Sequence, residues 1–336
     1  MSTKIYIKNR YRSFFWPIVM LGAGVIWLLT NLEIIPSENL WSLIRLWPAL
    51  LILAGIDILF ARRLAILGAL LGLLLIAAVV AFLLFGNSLG LSPAPEIKTE
   101  TFSVPMDEAQ SANVTLDLST QESQIQALSD SNDLFSAEIS HIGEIAFQAT
   151  GDTEKTISLS QIGAESWNNL FLPALQGEAL IWNIGLSPDI PLDLTVDAST
   201  GSADLDLSGL ELEALDYDAS TGSTTILLPD SAEGYETRLM ASTGSMTVVL
   251  PAESNLTLTL DGSTGKVTFH APEGAAIRIE VRSGGTGDLK LPDWITKVSG
   301  LADRDEGTYE TEGFDRADYQ ILILIEDIGT GNIVVQ

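Results

Sequence analysis

The sequence predicts a membrane-anchored all-β protein, with three transmembrane helices followed by a β-solenoid of stacked strand-turn-strand rungs. Three long apolar runs lie between residues 14 and 86, and beyond them the tripeptide Ser-Thr-Gly recurs every 21 or 22 residues. Charge divides the chain at the same place, because 41 of the 44 acidic residues come after residue 86. These observations predict a basic membrane part and a large acidic β domain.

Each apolar run is long enough to cross a bilayer core, which takes about 20 residues of helix. Arg45 and Asp57 lie near the ends of the second run, where charged side chains reach the lipid headgroups; a buried functional pair is the alternative. The basic start would also suit a cleaved signal peptide, but no Ala-x-Ala-like site follows the first run. We expect a transmembrane region over residues 14–86, with helices at about 14–32, 40–60 and 64–85.

The distribution of Lys and Arg predicts the orientation, because short loops rich in these residues stay in the cytoplasm. The tail 1–13 contains four of them, and Arg62 and Arg63 follow the second run, whereas the loop with Glu33 and Glu38 has none. We therefore expect a basic cytoplasmic tail and an extracytoplasmic β domain in a multi-pass protein of the plasma membrane.

An internal duplication predicts where the helices pack. A Trp-Pro pair and a glycine recur at an offset of 31 residues in the first two runs, and the third run contains a Gly-x-x-x-Gly pattern. Small residues let helix backbones approach closely, within one chain or between two copies, so a homo-oligomer stays open as an alternative. The predicted packing positions are Trp16, Pro17, Gly24, Trp47, Pro48, Gly55, Gly68 and Gly72.

The acidic part begins after a linker, residues 87–99, in which Gly and Pro break any helix. Apolar and polar residues then alternate, as in residues 192–197, which is typical of half-buried strands. We predict an N-terminal β subdomain over residues 100–185 and the Ser-Thr-Gly solenoid over residues 186–336.

The repeat predicts the length of a rung. Successive turn glycines are separated by 21, 22, 21, 22 and 44 residues, and 44 is two periods of 22. Residues 299–319 lack the repeat and are predicted to form a polar insertion before a strand at 320–326. Stacked rungs bury a continuous core and would place the glycines in one column along an edge. These glycines are Gly201, Gly222, Gly244, Gly265, Gly287 and Gly331.

The duplicated Trp-Pro hairpin resembles the LiaI/LiaF-type transmembrane region of bacterial envelope-stress proteins. Residues 182–210, with their Ser-Thr-Gly turns, resemble the toast-rack domain of LiaF-like cell-wall-active antibiotic response proteins and of related adhesin-like proteins. Residues 100–185 are similar to the N-terminal subdomain of that module. The resemblance covers nearly the whole chain and implies an envelope-stress component that modulates a membrane sensor kinase. Some LiaF-like proteins are drawn with an even number of spans, whereas this sequence predicts three.

The sequence contains no pattern that indicates catalysis or a cofactor. The absence of cysteine excludes disulfides and thiol chemistry, and the acidic domain should repel nucleic acid. Residues 86–90 match Gly-x-Ser-x-Gly by letter, but that motif needs a strand before it and a helix after it. His141 and His270 are interpreted as ordinary strand residues. We therefore expect no catalytic residue, no cofactor and no metal.

Calcium is the alternative that stays open. Asp197, Asp218 and Asp261 each lie four residues before a turn glycine, and stacking would align them as the oxygen ligands that calcium accepts. Met240 interrupts the series. Turn hydrogen bonds and a solvated acidic edge explain the aspartates without an ion.

These patterns predict a non-enzymatic protein of the cell envelope whose helices contact the lipid bilayer and a partner such as a sensor kinase. The alternative is a membrane-anchored surface scaffold or adhesin whose solenoid binds glycan or protein. A surface hydrolase is a third hypothesis, and it would require a cluster of buried carboxylates in a cleft.

Overall fold

The computed structural model divides into a helical unit and a β unit. One continuous hydrophobic core runs through the β unit and joins the predicted N-terminal subdomain to the repeat region. The described residues are 15–32, 51–52, 54–56, 65–85, 97–118, 122–129, 131–162, 180–262, 264–301 and 305–336.

Two helices are described in the helical unit, α1 at Phe15–Asn31 and α2 at Ala65–Phe85, with the side chains of α2 described from Leu70 onward. Ile26 of α1 and Leu83 of α2 are buried together. Of the predicted second helix, only residues 51–52 and 54–56 are described, and they are helical, so the count of three helices stays a prediction. Among the described residues, no helix has both the length and the apolar character needed to cross a membrane.

The β unit contains both short strands and three long ones. The strands before the repeats are β1 Lys98–Pro105, β2 Ser111–Asp117, β3 Glu122–Ala127, β4 Asp133–His141, β5 Glu144–Thr150, β6 Glu154–Ile162 and β7 Ile181–Leu186. The long strands are β8 Leu192–Asp206, β9 Leu212–Leu227 and β10 Ser231–Val249. The later strands are β11 Ser254–Asp261, β12 Lys266–His270, β13 Ile277–Val281, β14 Asp288–Lys290, β15 Ile295–Ser299, β16 Gly307–Thr311, β17 Ile321–Ile325 and β18 Asn332–Val335, with a short 3₁₀ helix, Phe314–Arg316, before β17.

The strands stack in two parallel series that share one core. The first series has the order β6-β2-β8-β9-β10-β11-β17-β13, and the second has the order β7-β3-β8-β9-β10-β12-β18-β14. The long strands β8, β9 and β10 belong to both series, because each continues through its Ser-Thr-Gly tripeptide. A rung is therefore one strand of each series joined at a corner.

Register places the side chains of successive rungs in columns. Val196, Tyr217, Leu239 and Leu260 follow one another across the first series, and all are buried. The residues between them point to the other face, as strand geometry requires. Burying one large apolar side chain contributes about 1.5–3 kcal/mol relative to leaving it in water. Such columns therefore stabilise the stack along its whole length.

The C-terminal rung does not lie at the end of the stack. β17 pairs with both β11 and β13, and β18 pairs with both β12 and β14. The 44-residue step from Gly287 to Gly331 equals two periods in sequence, yet the two glycines are direct neighbours in the stack. A sequence period gives the length of a rung and not the order in which rungs stack.

Antiparallel strands close both ends of the stack. At one end β5 pairs with β6, β4 with β7 and β1 with β4; at the other, β16 pairs with β13 and β15 with β16. The predicted polar insertion, residues 299–319, therefore contributes β16 to the sheet. At the first end the ring centroids of Phe102 and Phe147 are 4.8 Å apart, and those of Phe135 and Phe147 are 5.7 Å apart. Pairing of this kind covers strand edges that would otherwise recruit other chains.

Candidate functional site

The turn glycines form a column at one corner of the solenoid. Gly201 is in register with Gly222, and Gly222 with Gly244, with φ angles of 138°, 136° and 132°. A Cβ atom at Gly222 would overlap the carbonyl oxygen of Gly201, and one at Gly265 would overlap that of Gly244. The positive φ and the close backbone contact both require glycine at this corner.

The last two glycines of the repeat extend the same pattern. A Cβ atom at Gly287 would overlap the carbonyl oxygen of Gly331. Two gaps lie beneath the corner, each of about 10 Å³, which is the space of one water molecule. The corner therefore has a structural role and offers no room for a larger ligand.

Aspartate side chains are also aligned, and like charges face one another there. Asp117, Asp197 and Asp218 are register neighbours in β2, β8 and β9, and Met240 separates Asp218 from Asp261. Burial, followed by the charge of neighbouring aspartates, raises the pKa of the Asp197 and Asp218 carboxyls. The column therefore opposes folding when both groups are ionised.

The calcium alternative gains no support from this arrangement. The Asp261 carboxylate accepts a hydrogen bond of 2.9 Å from the N–H of Gly262, which is a turn interaction. Over the described ranges, no group of three or more His, Cys, Asp or Glu residues is arranged to hold a metal ion.

The two histidines lie on different strands and far apart in sequence. His141 is buried at the end of β4, and its Nε2 atom is 3.5 Å from Oε1 of Glu100. His270 ends β12, with its Nε2 atom 3.4 Å from Nε2 of Gln336. Both buried nitrogens of His141 lack a hydrogen-bond partner among the described residues, and neither histidine contacts a nucleophile there.

In the helical unit a close approach between α1 and α2 is made at Gly22, and the predicted packing at Gly24 stays a prediction. A Cβ atom at Gly22 would overlap the side chain of Ile76 in α2, whereas no described atom lies within 4 Å of a Cβ atom at Gly24 or at Gly55. Residues two apart on a helix point about 200° away from each other, so Gly22 and Gly24 cannot both face α2. Gly72 of α2 is buried.

The remaining packing predictions are partly covered by the structure. Trp16 and Pro17 lie in the first turn of α1, and the Trp16 side chain is half exposed. Gly68 lies on α2. Trp47 and Pro48 lie outside the described residues.

A cleft that sequence reasoning missed lies at the second end of the stack. We call it the C-terminal cleft, and its volume is about 1020 Å³. Its lining includes Trp294, Thr296 and Val298 on and before β15, Glu310 of β16, Glu273 after β12, and Gln336. No sequence pattern indicated the cleft, because its lining comes from segments far apart in the chain.

The charges of the C-terminal cleft are almost uncompensated. Glu310 is held by Arg278, whose guanidinium lies 2.9 Å from the Glu310 carboxylate and 4.2 Å from the centre of the Phe314 ring. The hydrogen bond to Glu310 is the main reason that the pKa of Arg278 is raised. The other lining carboxylates are Glu273, Asp293 and Glu312, and the described residues form no ion pair with them.

Replacing Gly222 by Ala should destabilise the β unit by about 3 kcal/mol or more, because it combines an unfavourable φ with overlap of the Gly201 carbonyl. Gly274→Ala is the matched control, since Gly274 also has a positive φ but no described atom within 4 Å of its Cβ position. The control should cost only about 1 kcal/mol. Thermal unfolding of the full chain in detergent, followed by circular dichroism, measures the stability of both variants. Equal losses of stability in Gly222→Ala and Gly274→Ala would contradict the argument that close backbone stacking requires glycine at residue 222.

Replacing Asp218 by Asn should stabilise the β unit by about 0.5 kcal/mol at pH 7 and low salt, because it removes repulsion between register neighbours. The pKa of the Asp218 carboxyl is raised in the folded state. Its electrostatic cost to folding is therefore fully present when the carboxyl is ionised and disappears below the unfolded-state pKa, near about 3.9. The gain should therefore vanish at pH 3 and shrink in 1 M salt. Asp193→Asn is the control, since its register neighbours are Asn113 and Ala214; an equal gain there would rule out the column as the cause.

Two family comparisons match separate parts of the chain. Residues 14–59 match the LiaI-LiaF-like transmembrane region, and residues 93–249 match the N-terminal domain of toast_rack. No curated protein matches the chain.

Comparison with solved structures concerns the β unit. A "putative cell adhesion protein" from Clostridium sporogenes is 18% identical with a TM-score of 0.50, and the match covers 71% of this chain and 99% of that one. A "putative adhesin" from Bacteroides fragilis is 11% identical with a TM-score of 0.26, covering 72% of this chain and 99% of that one. The first likeness supports the fold alone. The family matches show that the chain contains a LiaI-LiaF-like transmembrane region at residues 14–59 followed by a toast-rack N-terminal domain at residues 93–249.

Proposed function

We propose that this protein is a non-enzymatic component of the bacterial cell envelope that regulates a membrane partner, such as a sensor kinase, in the manner of LiaF-like proteins. The observation that carries the proposal is the joining of a LiaI-LiaF-like transmembrane region to a toast-rack domain in one chain. In this proposal the helices contact the partner and the β unit samples an envelope ligand.

The proposed topology has three transmembrane helices, a cytoplasmic N-terminus and an extracytoplasmic β unit. Its support is the distribution of basic residues, with four in the tail 1–13 and two more at Arg62 and Arg63. The strongly acidic β unit fits a soluble domain that does not adhere to anionic lipid.

The non-enzymatic part of the proposal is supported by the described contacts. The histidines contact Glu100 and Gln336, the aspartate column is a ladder of register neighbours, and the glycine corner holds gaps of only about 10 Å³. A hydrolase would need a nucleophile or a carboxylate pair directed into a cleft.

A membrane-anchored scaffold or adhesin is the second candidate. The observation that favours it is the long stack of rungs, whose outward rows of Thr and Asp side chains present an extended polar surface. Solenoids commonly use such surfaces for binding. In that function the helices serve only as an anchor.

Single-cysteine labelling in intact cells should establish the topology, because the natural chain has no cysteine. With a membrane-impermeant thiol reagent, Ser37→Cys and Thr225→Cys should label, whereas Ser2→Cys should label only after lysis. Thr225 is exposed, and Ser254, which is fully buried, provides a control that should label only after unfolding. Labelling of Thr225→Cys only after lysis would place the β unit in the cytoplasm and contradict the proposal.

Exchange of residues 1–86 for an unrelated three-span anchor should separate the two candidate functions. A regulator that acts through its helices should lose at least tenfold of its effect on an envelope-stress reporter, while the amount of β unit at the cell surface stays unchanged. A chimera that keeps full regulation would show that the helices are only an anchor.

A milder pair of variants controls for misassembly of the chimera. Gly22→Leu should disturb the contact with Ile76, whereas Gly24→Leu adds the same side chain where no described atom lies within 4 Å. Regulation should fall with Gly22→Leu and persist with Gly24→Leu at equal protein amounts on an immunoblot.

A further inference from the structure

The C-terminal cleft has an apolar floor that is open to solvent. Trp294, Thr296 and Val298 all line the cleft, and the pairing of β15 with β16 shifts register at Val298, between Lys297 and Ser299. Trp294 is 46% exposed and Val298 is 52% exposed. Exposed large apolar side chains that line a concavity are typical of a binding surface.

The size of the cleft favours an extended ligand. Its volume of about 1020 Å³ is at the upper limit of the roughly 300–1,000 Å³ that small-molecule pockets occupy. A bound ion would leave the floor uncovered, whereas a chain segment of several residues would cover both the apolar floor and the rim.

The charge of the rim is complementary to a cation. Glu273, Asp293 and Glu312 line the cleft, its described lining contains no Lys or Arg, and Glu310 is already held by Arg278. Three carboxylates without a described ion-pair partner in one cleft favour a basic ligand. An anionic ligand is disfavoured for the same reason, in a chain whose net charge is −27.

The strand that forms the floor also offers its backbone. Within the described ranges β15 pairs only with β16, so its other edge is not used by a further strand. An unpaired edge provides N–H and C=O groups to which an extended peptide can add, with alternate side chains directed to one face. A glycan would use the Trp ring but not this edge.

We propose that the C-terminal cleft binds an extended basic segment of a partner protein, with an apolar side chain on Trp294 and Val298 and Lys or Arg side chains at Glu273, Asp293 and Glu312. The inference deepens the proposed function by giving the chemistry of the partner that the β unit samples. The basic tail 1–13 of a second copy has suitable charge, but it lies across the membrane in the proposed topology.

Binding of a synthetic peptide to the full chain in zwitterionic nanodiscs tests this inference. The probe is a fluorescein-labelled seven-residue peptide of alternating Lys and Val, measured by fluorescence anisotropy with empty nanodiscs subtracted. The triple variant Glu273→Gln, Asp293→Asn and Glu312→Gln should raise Kd at least tenfold. Trp294→Ala should raise Kd about tenfold as well, and Trp294→Phe should restore most of the affinity.

The matched control removes the same number of charges elsewhere. Asp193→Asn, Glu211→Gln and Glu213→Gln lie at exposed positions outside the cleft and should change Kd less than twofold. Equal weakening by the control triple would attribute binding to overall charge and overturn the proposal, as would an unchanged Kd for Trp294→Ala.

Two further probes separate other ligands from a basic peptide. A peptide of alternating Glu and Val should not bind, and uncharged chitotetraose should not displace the basic probe. Displacement by the sugar through Trp294 would overturn the proposal in favour of a glycan site. The peptide-binding assay contains no signalling partner, so its outcome is independent of the anchor-exchange experiment. Peptide binding by the C-terminal cleft and regulation through the helices can therefore each fail alone.

Discussion

The β unit depends on the close stacking of successive backbones at the Ser-Thr-Gly corner. Neighbouring strands lie about 4.8 Å apart, and at Gly222 the carbonyl of the rung beside it occupies the place of a Cβ atom. Because each rung must turn at the same point, the strands on either side remain in register over long distances. The same register aligns Val196 with Tyr217 in the core and Asp197 with Asp218 on the edge. The apolar columns stabilise the stack, and the aspartate repulsion is a smaller effect of the same alignment.

The sequence predicted what repeats, and it could not predict what does not repeat. Ser-Thr-Gly spacing gives rung length, the place of the corner and the alternation of buried residues, since all three are local. The position of the rung with β17 and β18 depends on a long-range choice. β17 completes a ladder between β11 and β13, and no local pattern distinguishes that arrangement from simple addition at the end. Gly331 therefore follows the repeat spacing in the sequence, but its rung does not lie at the end of the stack.

The candidate sites also divide into one that is set by the local repeat and one that is set by long-range strand pairing. The glycine corner could be predicted residue by residue, because both φ and contact are set by the repeat itself. The C-terminal cleft could not, because Glu273, Trp294 and Glu310 come together only through the antiparallel pairing of β15 and β16 beyond the last parallel rung. In the helical unit the contact with α2 is made at Gly22, about 200° around the helix from Gly24, so the two glycines serve different faces of α1. A pattern of small residues identifies a helix that can pack closely, and the partner decides which face does so.

Specificity in such a protein should reside where the repeat ends. The rungs of the repeat present the same Ser-Thr-Gly corner, so a ligand that recognised it would bind several rungs alike. The two ends of the stack differ from the corner and from each other. The first is closed by the Phe102, Phe135 and Phe147 rings, whereas the second leaves Trp294 exposed beside carboxylates that no described cation neutralises. A regular stack that carries a charged cleft at one end can hold a single recognition surface rigidly, which is the property that a sampling domain needs.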